Sequence, residues 1–173
     1  MEFFDLIKKR QSIRVFQEKL VEEEKVKKIL QAANSAPSAG NLQAYKIVVV
    51  RDKEIKEKLC QAALGQDPIL SAPVVFVFFA DILQSSQKYG VRGEKMYSLQ
   101  DATIAASYAQ LAAADLGLGI VWIGAFEDGE IRAVLNAPKE LVPVAILPVG
   151  YPAEKPEKTE RKRVEDLVKW EKF

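Results

Sequence analysis

The chain has 173 residues, 49% of them apolar and 28% charged, with a formal net charge of +1. That length points to one domain with a full core, and the near-neutral balance excludes a chain built around nucleic acid or an anionic membrane. The single cysteine excludes an internal disulfide, and the absence of histidine removes Ser-His and Cys-His nucleophiles, the usual His-containing metal sites and the commonest general acid–base group.

An enzyme on such a chain needs a cofactor to carry its chemistry. The opening Met1-Glu2-Phe3-Phe4-Asp5 has the pattern of neither a signal nor a transit peptide, so the expected location is the cytoplasm. Cys60 falls in a helical pattern with no base beside it and reads as a core thiol.

In chain order, residues 2–9 read as a short amphipathic helix with Phe3, Phe4 and Ile7 on one face. The strip Arg10-Gln11-Ser12-Ile13-Arg14-Val15-Phe16 follows as a loop. Two guanidinium groups, an amide and a hydroxyl within five residues match the donors a phosphate takes. Glu22-Glu23-Glu24 opens a second helix with acidic residues where the dipole favours them, and Val26, Ile29, Leu30 and Ala33 recur at helical spacing. That helix ends before Pro37.

Ala36-Pro37-Ser38-Ala39-Gly40-Asn41-Leu42-Gln43 is a turn-rich loop leading into a β-branched strand, Tyr45 to Val50. Residues 53–64 form a helix with Ile55, Leu59 and Ala62 or Ala63 inward. Ala72 to Phe79 is an apolar strand, buried on both faces. Residues 80–97 carry few core signals and read as a long loop, either a lid or a surface excursion. Ser98 to Leu116 is an alanine-rich helix, apolar nearly all round, hence the central helix of the domain and a candidate dimer seam. Asp101, Gln110 and Asp115 interrupt it and exclude a membrane span.

Gly117-Leu118-Gly119 superficially looks like a dinucleotide fingerprint, but here the glycines end a helix and start a strand, so Gly117 reads as a C-cap. A short helix covers about 128–135. Val142 to Val149 is a strand whose prolines, Pro143 and Pro148, point to an edge or a strand end. From Tyr151 the chain is charged and proline-bearing, then closes on Val164, Leu167, Val168, Trp170 and Phe173. Apolar residues on an extended tail need a surface, so residues 1–150 read as the core and 151–173 as a tail packing on a partner subunit.

Four pieces in this order resemble the nitroreductase family of FMN-dependent reductases. Arg10 to Phe16 is similar to the family's R-R-S-x-R-x-[FY], and Ala36 to Gln43 to its A-P-S-x-x-N-x-Q. Leu111-Ala112-Ala113 through Gly117-Leu118-Gly119 and Trp122-Ile123-Gly124 resembles L-x-A-x-x-x-G-L-G-x-x-W-I-G, and Val149-Gly150-Tyr151-Pro152 resembles the closing G-Y-P. Ala44-Tyr45 stands where the family has proline and an aromatic. The tail at Thr159-Glu160-Arg161-Lys162-Arg163 lacks the family's leading base and its proline.

The resemblance implies an α/β (α+β) sandwich, a central mixed sheet flanked by helices, working as a homodimer that exchanges its C-terminal tails. It implies bound FMN, with NAD(P)H as reductant and a nitroaromatic, quinone or similar small molecule as acceptor. Arg10, Ser12 and Arg14 then meet the FMN phosphate and ribityl chain, with Gln11 where the family often has another base. Pro37, Ser38, Asn41 and Gln43 line the flavin edge, from the other subunit. The backbone of Gly124 and Ala125 faces the ring near N5, and Arg161, with Lys162 or Lys158 beside it, completes the phosphate site. No metal is expected. The alternatives are reductive dehalogenation or other flavin chemistry on the same scaffold, a non-catalytic flavin store, or a dimer whose arginines only pair with acidic residues.

Overall fold

The computed structural model describes residues 2–173, and its centre is a four-stranded sheet in the order β1-β2-β4-β3. The strands are β1 (Tyr45–Val50), β2 (Val74–Asp81), β3 (Gly119–Ile120) and β4 (Leu141–Gly150). The helices are α1 (Phe3–Lys9), α2 (Glu23–Asn34), α3 (Lys53–Ala62), α4 (Pro68–Ser71), α5 (Ile82–Arg92), α6 (Ser98–Asp115), α7 (Asp128–Val134) and α8 (Val164–Leu167). The named strands pair antiparallel throughout. The parallel component of the expected mixed sheet is confined to an isolated bridge between Ser12 and Ile120.

β2 is the spine, with every residue from Val74 to Ala80 fully buried. Its side chains alternate between two cores. Val74, Phe76 and Phe78 meet α2 and α6 on one face, while Val75, Val77 and Phe79 meet α3, α4 and α7 on the other. A strand sandwiched between helical layers can be apolar at every position, because neither face meets water. Each buried phenylalanine contributes roughly 1.5–3 kcal/mol through its apolar area.

α6 buries one face, Ala102, Ala105, Ala106, Ala109 and Ala113, whose small side chains let α2 and the sheet approach closely. Its other face carries the exposed Leu99 and Tyr108, so the helix is half-covered here rather than enclosed all round. It ends as expected at Gly117, where φ is +76°. Gly117 N–H donates to the Ala114 carbonyl and Leu118 N–H to that of Ala113, the paired bonds of a Schellman cap.

Two further expectations are corrected. Residues 80–97 are not a loop: Ala80 and Asp81 end β2, and the rest form α5 and a π-helical turn, Gly93–Tyr97, folded on each other. Asp81 caps α5 by accepting the Gln84 N–H at 2.9 Å, and the D-x-x-Q spacing was the available signal. Gly90, at φ +56°, kinks the helix and explains why no clean helical period runs through it.

β4 is interior, not an edge. Pro143 pairs with Phe79, at the register shift between Phe78 and Phe79. The Pro148 carbonyl accepts from Val121 N–H at 3.4 Å, so its ring nitrogen faces the same side, where the two-residue β3 has already ended. Both prolines therefore fall where a ladder donor is not needed.

In α1 the buried residue is Leu6, and Phe3, Phe4 and Ile7 face outward. Among the described residues, no helix is long and apolar enough to cross a membrane.

Candidate functional site

The arginine strip is an extended segment stitched along both sides. Toward β3, Ile13 N–H donates to the Ile120 carbonyl at 3.0 Å. Toward the tail, Gln17 N–H donates to the Tyr151 carbonyl and Ala153 N–H to that of Val15, each at 2.9 Å, and Gln11 Nε2 donates to the Pro156 carbonyl at 3.1 Å. The Glu154 carboxylate accepts from the backbone N–H groups of Arg14 and Val15. Ile13 and Phe16 are buried and pin the strip to the core. Gly119 makes that contact possible, since an added Cβ would lie 2.7 Å from Ile13 Cγ2.

With Ile13 and Phe16 turned inward, the polar side chains of the strip face an open cavity of about 530 Å³. Arg10, Gln11, Ser12 and Arg14 line one side, Ile7 and Lys8 of α1 another, and Pro156 to Thr159 with Arg161 close it from the tail. Five cationic side chains, Lys8, Arg10, Arg14, Lys158 and Arg161, share this space with one carboxylate, Glu157. Among the described residues none of the five is held in an ion pair. Within one chain, these arginines are therefore not neutralised by acidic residues. A cavity with unpaired guanidinium and ammonium donors and a serine hydroxyl suits a phosphate or similar anion.

A second cavity, of about 650 Å³, opens between Pro37, Ser38 and Ala39 and the first turns of α6, with Tyr97 on its wall. The loop above it is tightly specified. Gly40, Asn41 and Gln43 all have positive φ, 56°, 56° and 50°. Two of these are not glycine, so surrounding contacts must hold them. Ser38 Oγ accepts the Gln43 N–H at 3.0 Å, Gln43 Nε2 donates to Asn41 Oδ1 at 3.2 Å, and Gln84 Nε2 of α5 donates to the Leu42 carbonyl at 2.6 Å.

From below, Asp101 Oδ1 accepts the Ala39 N–H at 2.8 Å. Asp101 is 2% exposed and its other oxygen has no partner among the described residues. Burial pushes the neighbouring Tyr45 phenol up, and the Asp101 charge adds to that. Sequence reading took Asp101 only as a break in an apolar run. An acidic residue in the first turn of a helix facing a loop was the signal for its role.

Gly124 and Ala125 lie exposed just after the bridge between Ile123 and Ile146, where Gln66 Nε2 donates to the Ala125 carbonyl at 3.0 Å. Within one chain, then, Arg10, Gln11, Ser12, Arg14 and Arg161 share a cavity, and Lys158 joins them. Pro37 and Ser38 border the other cavity. Asn41, Gln43, Gly124, Ala125 and Lys162 line neither.

This combination of sandwich, strip and loop has close counterparts. The sequence profile of the nitroreductase family matches residues 7–69 and 62–151, and the chain belongs to that family. By family it is an oxidoreductase. A Methanothermobacter thermautotrophicus protein provisionally named NADH dehydrogenase/NAD(P)H nitroreductase is 37% identical over 160 residues, spanning 90% of this chain and 80% of its own length. An NADH dehydrogenase of Thermus thermophilus is 34% identical, over 94% of this chain and 92% of its own. The structure of the NfrA1 nitroreductase of Bacillus subtilis superposes with a TM-score of 0.90 at 30% identity, covering 99% of this chain and 74% of that one.

Proposed function

We propose that the protein is an FMN-dependent NAD(P)H oxidoreductase that passes electrons to small acceptors such as nitroaromatics or quinones, and that it works as a homodimer. The observation that carries this is the strip–tail cavity, where unpaired cations of both chain ends meet beside Ser12. FMN carries a phosphate at one end and a flat, largely apolar ring at the other. The donors in the cavity fit the first, and the Pro37–Ala39 cavity, with Tyr97, Leu99 and Ile104 on its wall, fits the second.

In this reading Arg10, Ser12, Arg14 and Arg161 bind the phosphate, with Lys158 nearer to them than Lys162. Pro37, Ser38, Asn41 and Gln43, and the exposed backbone at Gly124 and Ala125, orient the ring. When bound, FMN supplies hydride acceptance and release, which this histidine-free chain has no side chain to provide. The nicotinamide and the acceptor then use the same space in turn, which is the order of a ping-pong cycle.

The homodimer reading rests on apolar side chains that one chain leaves in water. Trp170 and Phe173 are almost wholly exposed, and Val164, Leu167, Phe3 and Phe4 are each more than half exposed. Such residues need a surface, and a second copy offers it while bringing its own Pro37–Gln43 loop.

The purified protein should be yellow with a flavin spectrum. NADH or NADPH should bleach it anaerobically, and a nitro compound or quinone should restore the colour. A colourless protein that rejects added FMN overturns the reading. Bleaching without reoxidation by any acceptor would make it a flavin store instead, and halide release from a halogenated aromatic would mark dehalogenation.

A further inference from the structure

Beside the second cavity, just outside its lining, stand two cations, Lys88 and Arg92, to which the reading above gives no role. Tyr97, on the cavity wall, is the meeting point of a cluster of rings and cations from α5. Arg92 Nε donates to Tyr97 Oη at 2.9 Å, and its guanidinium carbon lies 5.4 Å from the Tyr97 ring centre. Tyr89 meets Tyr97 edge to face, with centroids 5.2 Å apart. Lys88 Nζ stands 5.4 Å from the Tyr89 ring.

The cluster is also fixed to the cavity's loop. The Tyr89 hydroxyl packs directly on Gly40, and a Cβ there would come within 2.7 Å of Lys88 Nζ. Among the described residues neither Lys88 nor Arg92 has an ion-pair partner. Of the acidic groups on the adjoining turns, Asp101 is buried and takes the Ala39 N–H, and Glu94 is exposed with no ion pair among the described residues. Aromatic faces and hydroxyls hold the two cations in register instead of carboxylates, so their charge stays available.

We propose that this cluster selects aromatic ligands that carry an anionic group, the ring lodging against Tyr97 and the anion meeting Lys88 and Arg92. The redox role of such a ligand rests on the reading above; its binding does not. A carboxylated aromatic acceptor and the extra phosphate of NADPH share this chemistry, and the test separates them.

The full-length protein, as purified, is compared with the Lys88→Gln/Arg92→Gln double variant, both positions being exposed. Steady-state kinetics use nitrobenzene against 4-nitrobenzoate with one reductant, and NADH against NADPH with one neutral acceptor. The variant should raise KM for 4-nitrobenzoate, or for NADPH, about 10-fold with kcat nearly unchanged, and the wild-type preference should shrink in high salt. Whichever selectivity falls identifies the source of the anion. Neutral nitrobenzene should move less than about 2-fold, the scale of an exposed ion pair, and NADH, which lacks only the extra phosphate, should move less than NADPH.

Calorimetric titration of 4-nitrobenzoate and of NADP⁺ into both proteins, without turnover, should show the same loss of affinity for one of them. Unchanged selectivity together with equal affinities overturns the proposal. A protein inactive with every acceptor that still loses anion affinity in the variant refutes the oxidoreductase reading and leaves this one standing.

Discussion

Asp101 Oδ1 accepts the Ala39 amide proton at 2.8 Å, so the first turn of α6 holds the start of a loop with three consecutive-region positive-φ residues, Gly40, Asn41 and Gln43. A buried acceptor under a strained loop fixes where Ser38 and Asn41 stand. Replacing Asp101 by Ala leaves the amide without its partner and should cost about 1–3 kcal/mol in urea unfolding, the penalty of an unsatisfied buried donor. Asp101→Asn retains an acceptor and should recover most of that loss. Equal loss in both variants would assign the effect to charge instead.

Arg10 lines the strip–tail cavity, whereas Lys162 stands outside it. Arg10→Ala should weaken FMN binding by roughly 1.5–3 kcal/mol, as for a hydrogen bond to a charged group. Lys162→Ala should leave flavin retention, measured by fluorescence of the released cofactor, almost unchanged. The reverse ranking would put the phosphate against the outer part of the tail.

Lys56 is 9% exposed, and its ammonium donates to the Ala72 carbonyl at 2.8 Å and the Leu70 carbonyl at 3.2 Å. Burial holds its pKa below the ordinary lysine value of 10.5, with the Lys53 charge adding to the effect. The unfolded chain therefore binds the extra proton between the folded value and 10.5, and stability from this group rises with pH across that window. The gain is complete once both states are neutral. Lys56→Met should remove this alkaline rise, seen as a pH-dependent difference between the two unfolding curves. A flat difference would mean that folding leaves the Lys56 pKa unchanged.

Cys60 is buried in the core beneath β2, and burial pushes its thiol up, with the Asp67 charge adding. The thiolate is the reactive form, so an alkylating reagent at pH 8 should label Cys60 only in denaturant. Rapid labelling of the folded protein would show that α3 opens locally.

The tail beyond Pro156 is exposed from Glu157 to Phe173. Deleting residues 164–173 should shift the protein toward monomer in sedimentation, because it removes Trp170 and Phe173. A dimer that survives the cut would assign the interface to the exposed faces of α1 and α6.

Much of the fold was legible because its signals are local. The unbroken apolar run of β2, the alanine face of α6 and the glycine that caps it each follow from chain chemistry within a few residues. The strip's polar side chains were legible as a group for the same reason, and they do share one cavity. What escaped depends on direction. Pro148 looked like an edge marker because sequence does not say which side of a strand its nitrogen faces. The α5 segment was hidden by Gly90, which breaks the helical period, although Asp81 and Gln84 announced its start. Asp101 was missed because its partner, the Ala39 amide, belongs to a loop 62 residues away.

The bond between Gln11 and the Pro156 carbonyl spans 145 residues. During synthesis the chain makes the cations of the strip near the start and those of the tail near the end. The cradle therefore stays half-built until Arg161 has emerged, whatever the core has already done. Non-local contacts of this reach close last. Under the proposed function, loading of an anionic cofactor therefore has to wait for the tail.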